Sequence, residues 1–373
     1  MFENILSHYK WNEITESIFS KSFVDVEEAL HKEKRNLEDF KALISPAASK
    51  YLEPMARLSR ELTLKRFGKT IQLFIPLYVS NVCENHCVYC GFNQLNKIKR
   101  KVLTTNEIQK EVKVLKDYGY EHLLLVSGEA PEKVGVSYFA KTIKMLKSDF
   151  ALISIEVQPM ETEEYQQLIE VGLNSVYIYQ ETYNQEKYKL YHPKGKKSDF
   201  EFRLNTPERL GNADIHKIGL GVLLGLEEWR TDSFLTALHL NFLETKFWKT
   251  NFSISFPRLR PHAGSFQPNS IVTEKDLVQL ICAYRIFNEE VELSISVRES
   301  AKFRDNIIKL GITSLSAGSK TEPGGYAANL NTLEQFAVHD SRTPAEIINV
   351  IKNNGYEPVW KNWDPILQSN SLQ

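Results

Sequence analysis

The sequence predicts an α/β fold in which eight parallel strands close into a (β/α)8 barrel of the TIM type. From Ile71 onward, short apolar runs typical of buried strands alternate with stretches of helical periodicity. Strict alternation of strands and helices favours parallel pairing. The chain has 373 residues, 42% of them hydrophobic, which is enough for a barrel with extensions. We expect a helical extension over 1–70, the barrel over 71–320, and a lid, helix and tail over 321–373.

Eight apolar runs are candidates for the barrel strands, each bounded by polar or turn-forming residues. A count of eight, rather than six, predicts a closed barrel rather than an open one. The predicted strands are Gln72–Ser80, His122–Glu129, Leu152–Val157, Val176–Thr182, Lys217–Leu226, Asn251–Pro257, Glu292–Arg298 and Ser314–Gly318.

Helical periodicity fills the N-terminal segment and the intervals between strands. Val26–Ala42 and Ala56–Phe67 have apolar residues at helical spacing, and we expect these helices to pack over one end of the barrel. Thr104 and Thr273 are each followed three residues later by an acid, which predicts a capping box at a helix start. Ser233–Trp248 is also helical in period.

Composition excludes several functional classes. The formal net charge is −1 with 25% charged residues, so nothing favours binding to nucleic acid, which needs a basic surface. No apolar run reaches membrane-spanning length, and the first residues lack a signal-peptide core. Four cysteines, three of them clustered, suit a reducing compartment. The sequence therefore predicts a soluble, cytoplasmic protein.

Three cysteines follow the first predicted strand in the spacing C-x3-C-x2-C, as Cys83, Cys87 and Cys90. Three thiolates on one short loop can bind three corners of a [4Fe–4S] cube and leave the fourth iron free for another ligand. Gly91 allows a tight turn beside the cluster, and Phe92 places an aromatic ring there. This loop resembles the cluster loop of the radical S-adenosylmethionine (SAM) superfamily, which implies that SAM is the second cofactor.

Other interpretations of these cysteines are weaker. A zinc site normally takes four ligands, and His86, the nearest candidate for the fourth, lies inside the same loop, where tetrahedral geometry would be strained. Three thiols cannot all pair in disulfides. A simple electron-transfer ferredoxin would use four neighbouring cysteines. The remaining cysteine, Cys282, lies far away in a helical pattern, where a small buried hydrophobe is expected.

Polar residues at the carboxyl ends of parallel strands meet at one mouth of a barrel. The second strand ends in Ser127-Gly128-Glu129, where the glycine permits close approach of a ligand and the carboxylate can bind an ammonium group; an ordinary turn is the alternative. Glu156 interrupts an apolar strand, so we expect a ribose hydroxyl or an arginine as its partner.

Later strands add further candidates. The fourth ends in Tyr179-Gln180-Glu181-Thr182, and the fifth contains three glycines that fit either an adenine shelf or a barrel corner. Arginines end the sixth and seventh strands, and an arginine fork can bind a carboxylate through two parallel hydrogen bonds. With the serines of the eighth strand, this set predicts an amino-acid substrate, although any one arginine could instead pair with Glu299. These residues are Arg258, Arg260, Arg298, Ser314, Ser316 and Ser319.

Two segments interrupt the alternation of strands and helices. The polar and aromatic stretch Tyr183–Phe202 follows the fourth strand, where barrel active sites are built. A Gly-Gly turn at Thr321–Tyr326 follows the eighth strand, and a helix is predicted near Pro344–Asn353. We expect both segments to act as lids over the barrel mouth.

Five segments strongly resemble the 2-iminoacetate synthases, the radical SAM tyrosine lyases of thiamine thiazole biosynthesis. They span most of the chain: VSNVCENHCVYCGF, YQETYNQEKYKLYHPKGKKSDFEFRLNTPERL, GLGVLLGLEEWRTDSFLTALHL, SISFPRLRPHAG and LSAGSKTEPGGY. The resemblance implies that an electron from the cluster cleaves SAM, that the resulting radical takes a hydrogen from the tyrosine amino group, and that the Cα–Cβ bond then breaks to give 2-iminoacetate and p-cresol.

The resemblance also assigns roles to residues of this sequence. Cys83, Cys87 and Cys90 would bind iron. SAM would contact Phe92, Ser127, Gly128, Glu129, Glu156 and Glu181. The substrate carboxylate would be held by Arg298 and Ser316, with Ser314 and Ser319 as alternatives for the serine. Tyr179, Gln180 and His192 would form the pocket wall.

The same resemblance implies partners and leaves related activities open. A flavodoxin or ferredoxin would supply the electron, and a thiazole synthase would receive the unstable product. The tyrosine lyase of hydrogenase maturation carries a second cluster in a C-terminal domain, but Cys282 is the only cysteine after Cys90 here. A tryptophan lyase with a similar carboxylate site is a further alternative.

Overall fold

Eight parallel strands form a closed barrel in the computed structural model, which describes residues 1–262, 265–328 and 334–361. The order is β2-β3-β4-β5-β6-β7-β8-β1, and β1 also pairs with β2 to close the barrel. The predicted fold class and strand count are confirmed. The strands are β1 (Thr70–Ser80), β2 (His122–Ser127), β3 (Leu152–Glu156), β4 (Ser175–Tyr177), β5 (Lys217–Gly221), β6 (Asn251–Ser255), β7 (Glu292–Ile295) and β8 (Ser314–Ser316).

Several strands are shorter at their carboxyl ends than the sequence predicts. β5 ends at Gly221 rather than Leu226, and β7 ends at Ile295 rather than Arg298. The residues beyond these ends leave the hydrogen-bonded ladder and line a cavity at the barrel mouth, as Leu223 and Arg298 do. Apolar composition alone does not distinguish a residue in the ladder from one that packs in the mouth.

A ninth strand, β9 (Glu357–Val359), was not predicted. It pairs in parallel with Thr70–Gln72, at the amino end of the long strand β1. The segment has three residues with a central proline, Pro358, so it carries no strand periodicity. The part of the predicted tail beyond residue 361 lies outside the described residues.

Helices surround the barrel, and the predicted capping boxes are present at Thr104 and Thr273. The helix predicted as Ser233–Trp248 begins and ends slightly earlier. The helices are α1 (Phe2–Leu6), α2 (Trp11–Phe19), α3 (Phe23–His31), α4 (Leu37–Ile44), α5 (Leu52–Phe67), α6 (Thr105–Asp117), α7 (Val136–Leu146), α8 (Thr162–Glu170), α9 (Gln185–Tyr191), α10 (Phe200–Leu204), α11 (Thr206–Asn212), α12 (Trp229–Lys246), α13 (Glu274–Phe287), α14 (Ala301–Ile307) and α15 (Pro344–Asn353).

The N-terminal helices pack against the side of the barrel, on α12 and α13, rather than over one end as predicted. Phe40 of α4 lies against Tyr284 of α13, with ring centroids 4.9 Å apart. Gln279 of α13 donates hydrogen bonds to the carbonyls of Leu43 and Ser45. Because α12 and α13 are buried on most of their faces, a second layer of helices has to cover them.

The helical pattern of Val26–Ala42 is divided between α3 and α4. Asn36 ends the intervening loop, and its side chain accepts hydrogen bonds from the amides of Glu38 and Asp39. Such a cap starts a new helix, because it satisfies amides that have no partner within the helix. Among the described residues, no helix is both long and apolar enough to cross a membrane.

Candidate active site at the barrel mouth

A large cavity lies at the carboxyl ends of the strands, and most of the predicted site residues line it. Its empty volume, including the open mouth, is about 1540 Å³. The predicted residues that line it are Cys83, Cys87, Cys90, Phe92, Ser127, Gly128, Glu129, Glu156, Tyr179, Glu181, Arg260, Arg298, Ser316 and Ser319.

The cysteine loop is held against the end of β2 by backbone contacts. The Glu84 amide donates to the Glu129 carbonyl at 2.9 Å, and the Gly128 amide donates to the Ser80 carbonyl at 3.0 Å. A Cβ at Gly128 would lie 2.3 Å from the Val82 carbonyl oxygen. Glycine is therefore required here because the loop backbone passes directly over it, which explains the Gly-Glu pair without a ligand.

The Glu129 carboxylate is the centre of a buried polar cluster. Its two oxygens accept hydrogen bonds from Arg203 at 3.0 Å and from Asn85 at 2.7 Å. Lys197 pairs with Glu181 at 2.7 Å, and Arg203 lies 3.6 Å from the same carboxylate. Two cations thus face two carboxylates beside the cysteines. A carboxylate oxygen can accept more than one hydrogen bond, so Glu129 can still accept from a ligand ammonium group.

The charges around Glu129 favour the ionised form of its carboxyl group. Burial opposes ionisation of Glu129, but Arg203, Lys197 and Asn85 outweigh it and lower the pKa of Glu129. Glu181 adopts a left-handed backbone conformation with φ of 71°, which is uncommon for a residue other than glycine. Strain of this kind persists where surrounding contacts impose it, as the ion pair with Lys197 does here.

Lys197 and Arg203 were not predicted as site residues. Both lie in or just after the insertion Tyr183–Phe202, which the sequence predicts to be a lid. Lys197 belongs to a short 3-10 turn and Arg203 to α10. The signal that could have identified them was the presence of cations soon after the acidic strand end at Glu181.

Glu156 ends β3 and faces the cavity as predicted, but no described residue pairs with it as a salt bridge within 4 Å. Burial raises the pKa of Glu156 to about 7, while the positive charge of Arg298 opposes the shift. The predicted alternative of a direct arginine partner is therefore not observed, which leaves the side chain available to a ligand hydroxyl.

Arg298 is placed differently from the other two candidate arginines. Arg258 and Arg260 both donate to Glu299, which is fully buried, so the ion-pair interpretation is correct for them. Arg298 forms no ion pair with a described residue. Its guanidinium lies over the Phe336 ring at 3.4 Å, makes a long 3.5 Å hydrogen bond to the Arg258 carbonyl, and lines the cavity. A half-buried cation without a counter-ion has lost part of its hydration, so this position suits an anionic ligand.

Three buried serine hydroxyls lining the cavity have no hydrogen-bond partner among the described residues. They belong to Ser127, Ser316 and Ser319. Buried hydroxyls are nearly always hydrogen-bonded, so these atoms indicate where ligand groups bind. Ser314 does not line the cavity, although it shares β8 with Ser316.

Gln180 and His192 do not line the cavity, in contrast to the prediction. Tyr177, Tyr179 and Glu181 alternate along an extended segment and face inward, so Gln180 between them faces outward. Its backbone N–H donates to the Gly221 carbonyl at 3.1 Å, and its side-chain Nε2 is buried without a hydrogen-bond partner among the described residues. His192 lies one layer behind the wall, where a 2.7 Å hydrogen bond joins it to Tyr89.

The glycines of β5 leave room for tyrosine side chains rather than directly for a ligand. A Cβ at Gly219 would lie 2.1 Å from the Tyr177 ring, and one at Gly221 would lie 2.8 Å from the Ser255 carbonyl oxygen and 3.1 Å from the Tyr179 ring. The two tyrosines of the fourth strand and its extension therefore cross over β5 inside the barrel. Neither the adenine shelf nor the barrel corner is needed to explain these glycines.

A segment after the Gly-Gly turn, residues 334–336, completes the wall beside the cysteines. The Gly91 amide donates to the Gln335 carbonyl at 3.2 Å. The Gln335 side chain accepts from the Tyr78 hydroxyl at 2.7 Å, and its amide nitrogen lies 3.9 Å from the Cys90 sulfur. The expectation that the C-terminal region covers the mouth holds for this segment, whereas residues 329–333 lie outside the described residues.

The cysteines suit a multi-iron cluster. All four cysteines of the chain are free thiols. Within the described residues, no three His, Cys, Asp or Glu side chains converge on a point that could hold a single metal ion. A [4Fe–4S] cube does not require the three sulfur atoms to meet at one point, since each thiolate binds a separate iron. Burial, with the charges of Cys90 and Glu129, raises the pKa of Cys83 to about 11, so ionisation of this thiol requires a cation such as iron.

Comparisons with known proteins agree with this site. Residues 77–238 match the model of the radical SAM superfamily, and residues 255–357 match that of the biotin and thiamin synthesis associated domain. The first match contains the three clustered cysteines and the Glu129 cluster, and the second contains Arg298 and the serines of β8. Radical SAM proteins use a [4Fe–4S] cluster and SAM, and these are the cofactors of this chain.

Two curated relatives and one solved structure align along most of the chain. The 2-iminoacetate synthase of Escherichia coli (strain K12) is 48% identical, over 96% of this chain and 95% of that protein. The 2-iminoacetate synthase of Salmonella typhimurium is 47% identical over 95% of this chain and 94% of its own. A crystal structure of HydG, a maturase of the [FeFe]-hydrogenase, has a TM-score of 0.89 and 31% identity, and the match covers 94% of this chain and 80% of HydG.

The higher identity to the two synthases than to the maturase confirms the predicted resemblance and disfavours the hydrogenase-maturation alternative. The chain therefore belongs to the 2-iminoacetate synthase family of the radical SAM superfamily.

Proposed function

We propose that this chain is a SAM-dependent lyase that cleaves the Cα–Cβ bond of L-tyrosine and releases 2-iminoacetate and p-cresol for thiamine thiazole synthesis. The single observation that carries the proposal is Arg298, a cation without an ion-pair partner among the described residues, in the same cavity as three cysteines. An amino-acid substrate supplies the missing carboxylate. The identity of 48% to a 2-iminoacetate synthase supports tyrosine as that amino acid.

The cluster would be held by Cys83, Cys87 and Cys90, and SAM would bind beside it. When bound, the reduced cluster supplies the electron that cleaves SAM to methionine and the 5′-deoxyadenosyl radical that begins the attack on tyrosine. Glu129 is suited to the methionyl ammonium group, because it is ionised and buried. Arg203 and Lys197 are suited to the methionyl carboxylate, which an arginine fork can bind through two hydrogen bonds.

The substrate end of the cavity would orient tyrosine. Arg298 would bind the substrate carboxylate, and the unpartnered hydroxyls of Ser316 and Ser319 would donate to the same group. Phe336 stacks on the guanidinium and limits its rotation. Glu156, whose pKa burial raises to about 7, can accept a hydrogen bond from a ribose hydroxyl when ionised. Tyr177 and Tyr179 form part of the wall.

Two segments would limit the access of water to the reacting atoms. The insertion is tied to the cysteine loop by the His86 amide, which donates to the Lys194 carbonyl at 3.0 Å. The segment 334–336 is tied to the loop through Gly91 and Cys90. A reactive organic radical needs a dry site, because side reactions with solvent would otherwise compete.

Anaerobic incubation of cluster-reconstituted protein with SAM, dithionite and tyrosine tests the proposal. The expected products are 5′-deoxyadenosine and p-cresol in equal amounts, together with glyoxylate from hydrolysis of 2-iminoacetate. A parallel incubation with tryptophan should give 5′-deoxyadenosine at background level and no cleavage product. Cluster-replete protein that forms neither 5′-deoxyadenosine nor p-cresol from tyrosine would refute the assignment.

The partners follow from the reaction. A flavodoxin or ferredoxin is the expected electron donor, since the cluster must receive one electron in each cycle. A thiazole synthase is the expected recipient of 2-iminoacetate, which hydrolyses in water. The expected compartment is the cytoplasm, because a reducing environment keeps the cluster cysteines as thiols.

A further inference from the structure

Two stretches of the chain contain several basic residues and no acidic ones. Residues 85–106 include Lys97, Lys99, Arg100 and Lys101 without any Asp or Glu. Residues 187–198 include five lysines, again without an acid. The formal net charge of the whole chain is only −1, so these stretches are a local departure from a nearly balanced composition.

The first stretch contains Cys87 and Cys90, and the fold brings the second stretch against it. The His86 and Val88 amides donate to the carbonyls of Lys194 and Tyr191, at 3.0 and 3.1 Å. The Gln94 amide donates to the Asn85 carbonyl at 3.0 Å, and the side chains of His86 and Gln94 are joined at 3.0 Å. The loop that carries Cys87 therefore belongs to one basic stretch and is hydrogen-bonded to the other.

The cations of these stretches fall into three groups. Lys101 and Lys187 pair with Glu107 and Glu227. Lys197 and Arg100 turn inward, where Lys197 pairs with Glu181 and Arg100 donates to backbone carbonyls of Asn81 and Phe92. Five other lysines are exposed and form no ion pair with any described residue. We call these five the basic face: Lys97, Lys99, Lys189, Lys194 and Lys196.

Two exposed apolar side chains accompany the basic face. Leu95 is 70% exposed and Leu190 is 67% exposed, and each lies within one of the two basic stretches. Protein interfaces commonly combine a few apolar contacts with a charged rim. Cys87 lies directly behind this surface, between His86 and Val88, which are themselves only half-buried. Lys194 of the basic face is thus hydrogen-bonded through its backbone carbonyl to His86, the residue that precedes the cluster ligand Cys87.

We propose that the basic face is the docking surface for an acidic one-electron carrier protein that reduces the cluster. The inference rests on the proposed function, in which the carrier loses one electron and the cluster gains it in each cycle. Charge complementarity would steer the carrier to the loop, and proximity to Cys87 would keep the transfer distance short.

The test uses flavodoxin, an acidic one-electron carrier, as the probe. The variant reverses three charges of the basic face: Lys97→Glu, Lys194→Glu and Lys196→Glu. A matched control reverses three exposed lysines on α6 and α7: Lys113→Glu, Lys141→Glu and Lys144→Glu. Both variants have the same net charge, so a difference between them reports position rather than overall charge. p-Cresol formation is measured with saturating dithionite and, separately, over a range of reduced flavodoxin concentrations.

The basic-face variant should keep wild-type turnover with dithionite, while its KM for flavodoxin rises roughly tenfold at low salt. The difference should shrink as ionic strength increases, because salt screens exposed charges. The control should retain the wild-type KM for flavodoxin. Such a pattern supports the proposal.

Three results would overturn it. The first is a flavodoxin KM and salt dependence equal to those of the wild type. The second is an equal loss of dithionite-driven turnover, which would place the lysines at the substrate entrance. The third is an unchanged flavodoxin KM with weakened binding of a thiazole synthase, which would assign the surface to that partner. Absence of dithionite-driven turnover in the wild type would instead refute the proposed function.

Discussion

Arg203 donates a hydrogen bond to Glu129 at 3.0 Å, although 74 residues separate them in the chain. Their side chains are only 6% and 10% exposed. The contact joins α10, in the region after the fourth strand, to the end of β2, where the cysteine loop is also attached. The proposed SAM site is therefore assembled from two distant parts of the sequence, and each part neutralises a buried charge of the other.

Replacement of Arg203 by glutamine should weaken both the fold and SAM binding. The change leaves Glu129 buried without its main cation, which costs roughly 3 kcal/mol in a buried pair. Urea denaturation of the metal-free protein should show this loss, and equilibrium dialysis should show at least tenfold weaker SAM binding to the reconstituted protein. Arg209→Gln is the control, because Arg209 donates mainly to backbone carbonyls. Wild-type SAM affinity in the Arg203 variant would remove Arg203 from the cofactor site.

Gln335 should influence the reduction potential of the cluster through Cys90. A donor N–H near a cluster sulfur stabilises the more negative, reduced state, so its removal should lower the potential. Gln335→Leu removes the 3.9 Å contact to Cys90 while keeping a side chain of similar size. The expected decrease is roughly 20–60 mV, equivalent to one ordinary hydrogen bond in a one-electron couple.

A potential titration followed by EPR measures this shift. Tyr78→Phe is the graded comparison, because it removes the hydroxyl that anchors the Gln335 carbonyl oxygen and leaves the amide in place. We expect a smaller decrease in the same direction. A potential unchanged from the wild type in the leucine variant would mean that Gln335 only packs against the loop.

The barrel could be predicted from sequence because its signals are local. Each strand is a short apolar run, and the capping boxes at Thr104 and Thr273 involve residues three positions apart. The clustered cysteines are equally local, since Cys83 and Cys90 belong to one loop. The position of the N-terminal helices could not be predicted, because it depends on which faces of α12 and α13 are left uncovered.

The site residues that the sequence did not predict depend on contacts between distant parts of the chain. Gln335 lies 245 residues from Cys90 in the chain and belongs to a segment without periodicity. Lys197 and Arg203 carry no motif, and only the fold brings them to the carboxylates of Glu129 and Glu181. Gln180 was wrongly placed in the wall because the inward face of its strand was not assigned, although strand alternation defines it once Tyr179 is known to face inward.

Glu156 should make stability depend on pH between its ordinary pKa of 4.5 and about 7. Because burial raises its pKa in the folded state, the folded protein holds a proton that the unfolded chain has lost in this range. Its stabilising contribution is complete below pH 4.5 and is lost as the pH rises through 7, by on the order of 3 kcal/mol. Glu156→Gln cannot lose this proton.

Urea denaturation of both proteins without SAM, from pH 5 to pH 8, measures this difference. The free energy of unfolding of the wild type should fall relative to that of Glu156→Gln as the pH increases. All other titrating groups are shared and cancel in the comparison. Parallel pH profiles for the two proteins would show that Glu156 is ionised throughout, with an ordinary pKa.

Cys87 and Cys282 are both buried, but only Cys87 should be needed for the cluster. Cys87→Ala should lose most of its iron and sulfide after reconstitution and form neither 5′-deoxyadenosine nor p-cresol. Cys282 lies in α13 within the hydrophobic core, so Cys282→Ala should keep its iron and lose only about 1 kcal/mol of stability. Iron analysis and product assays on both variants test whether only Cys87 is needed for the cluster. Equal iron loss in the two would contradict the assignment of the cysteine loop.

Arg298→Lys should separate the use of tyrosine from the cleavage of SAM. Lysine keeps the positive charge, but it cannot form the two parallel hydrogen bonds that a guanidinium makes with a carboxylate. It also loses the stacking on Phe336. We therefore expect the KM for tyrosine to rise at least tenfold and the SAM dissociation constant to stay within about twofold, because the SAM-binding cluster around Glu129 is unchanged. Misplaced tyrosine should also lower the ratio of p-cresol to 5′-deoxyadenosine below that of the wild type. A wild-type KM with an unchanged product ratio would show that another residue binds the substrate carboxylate.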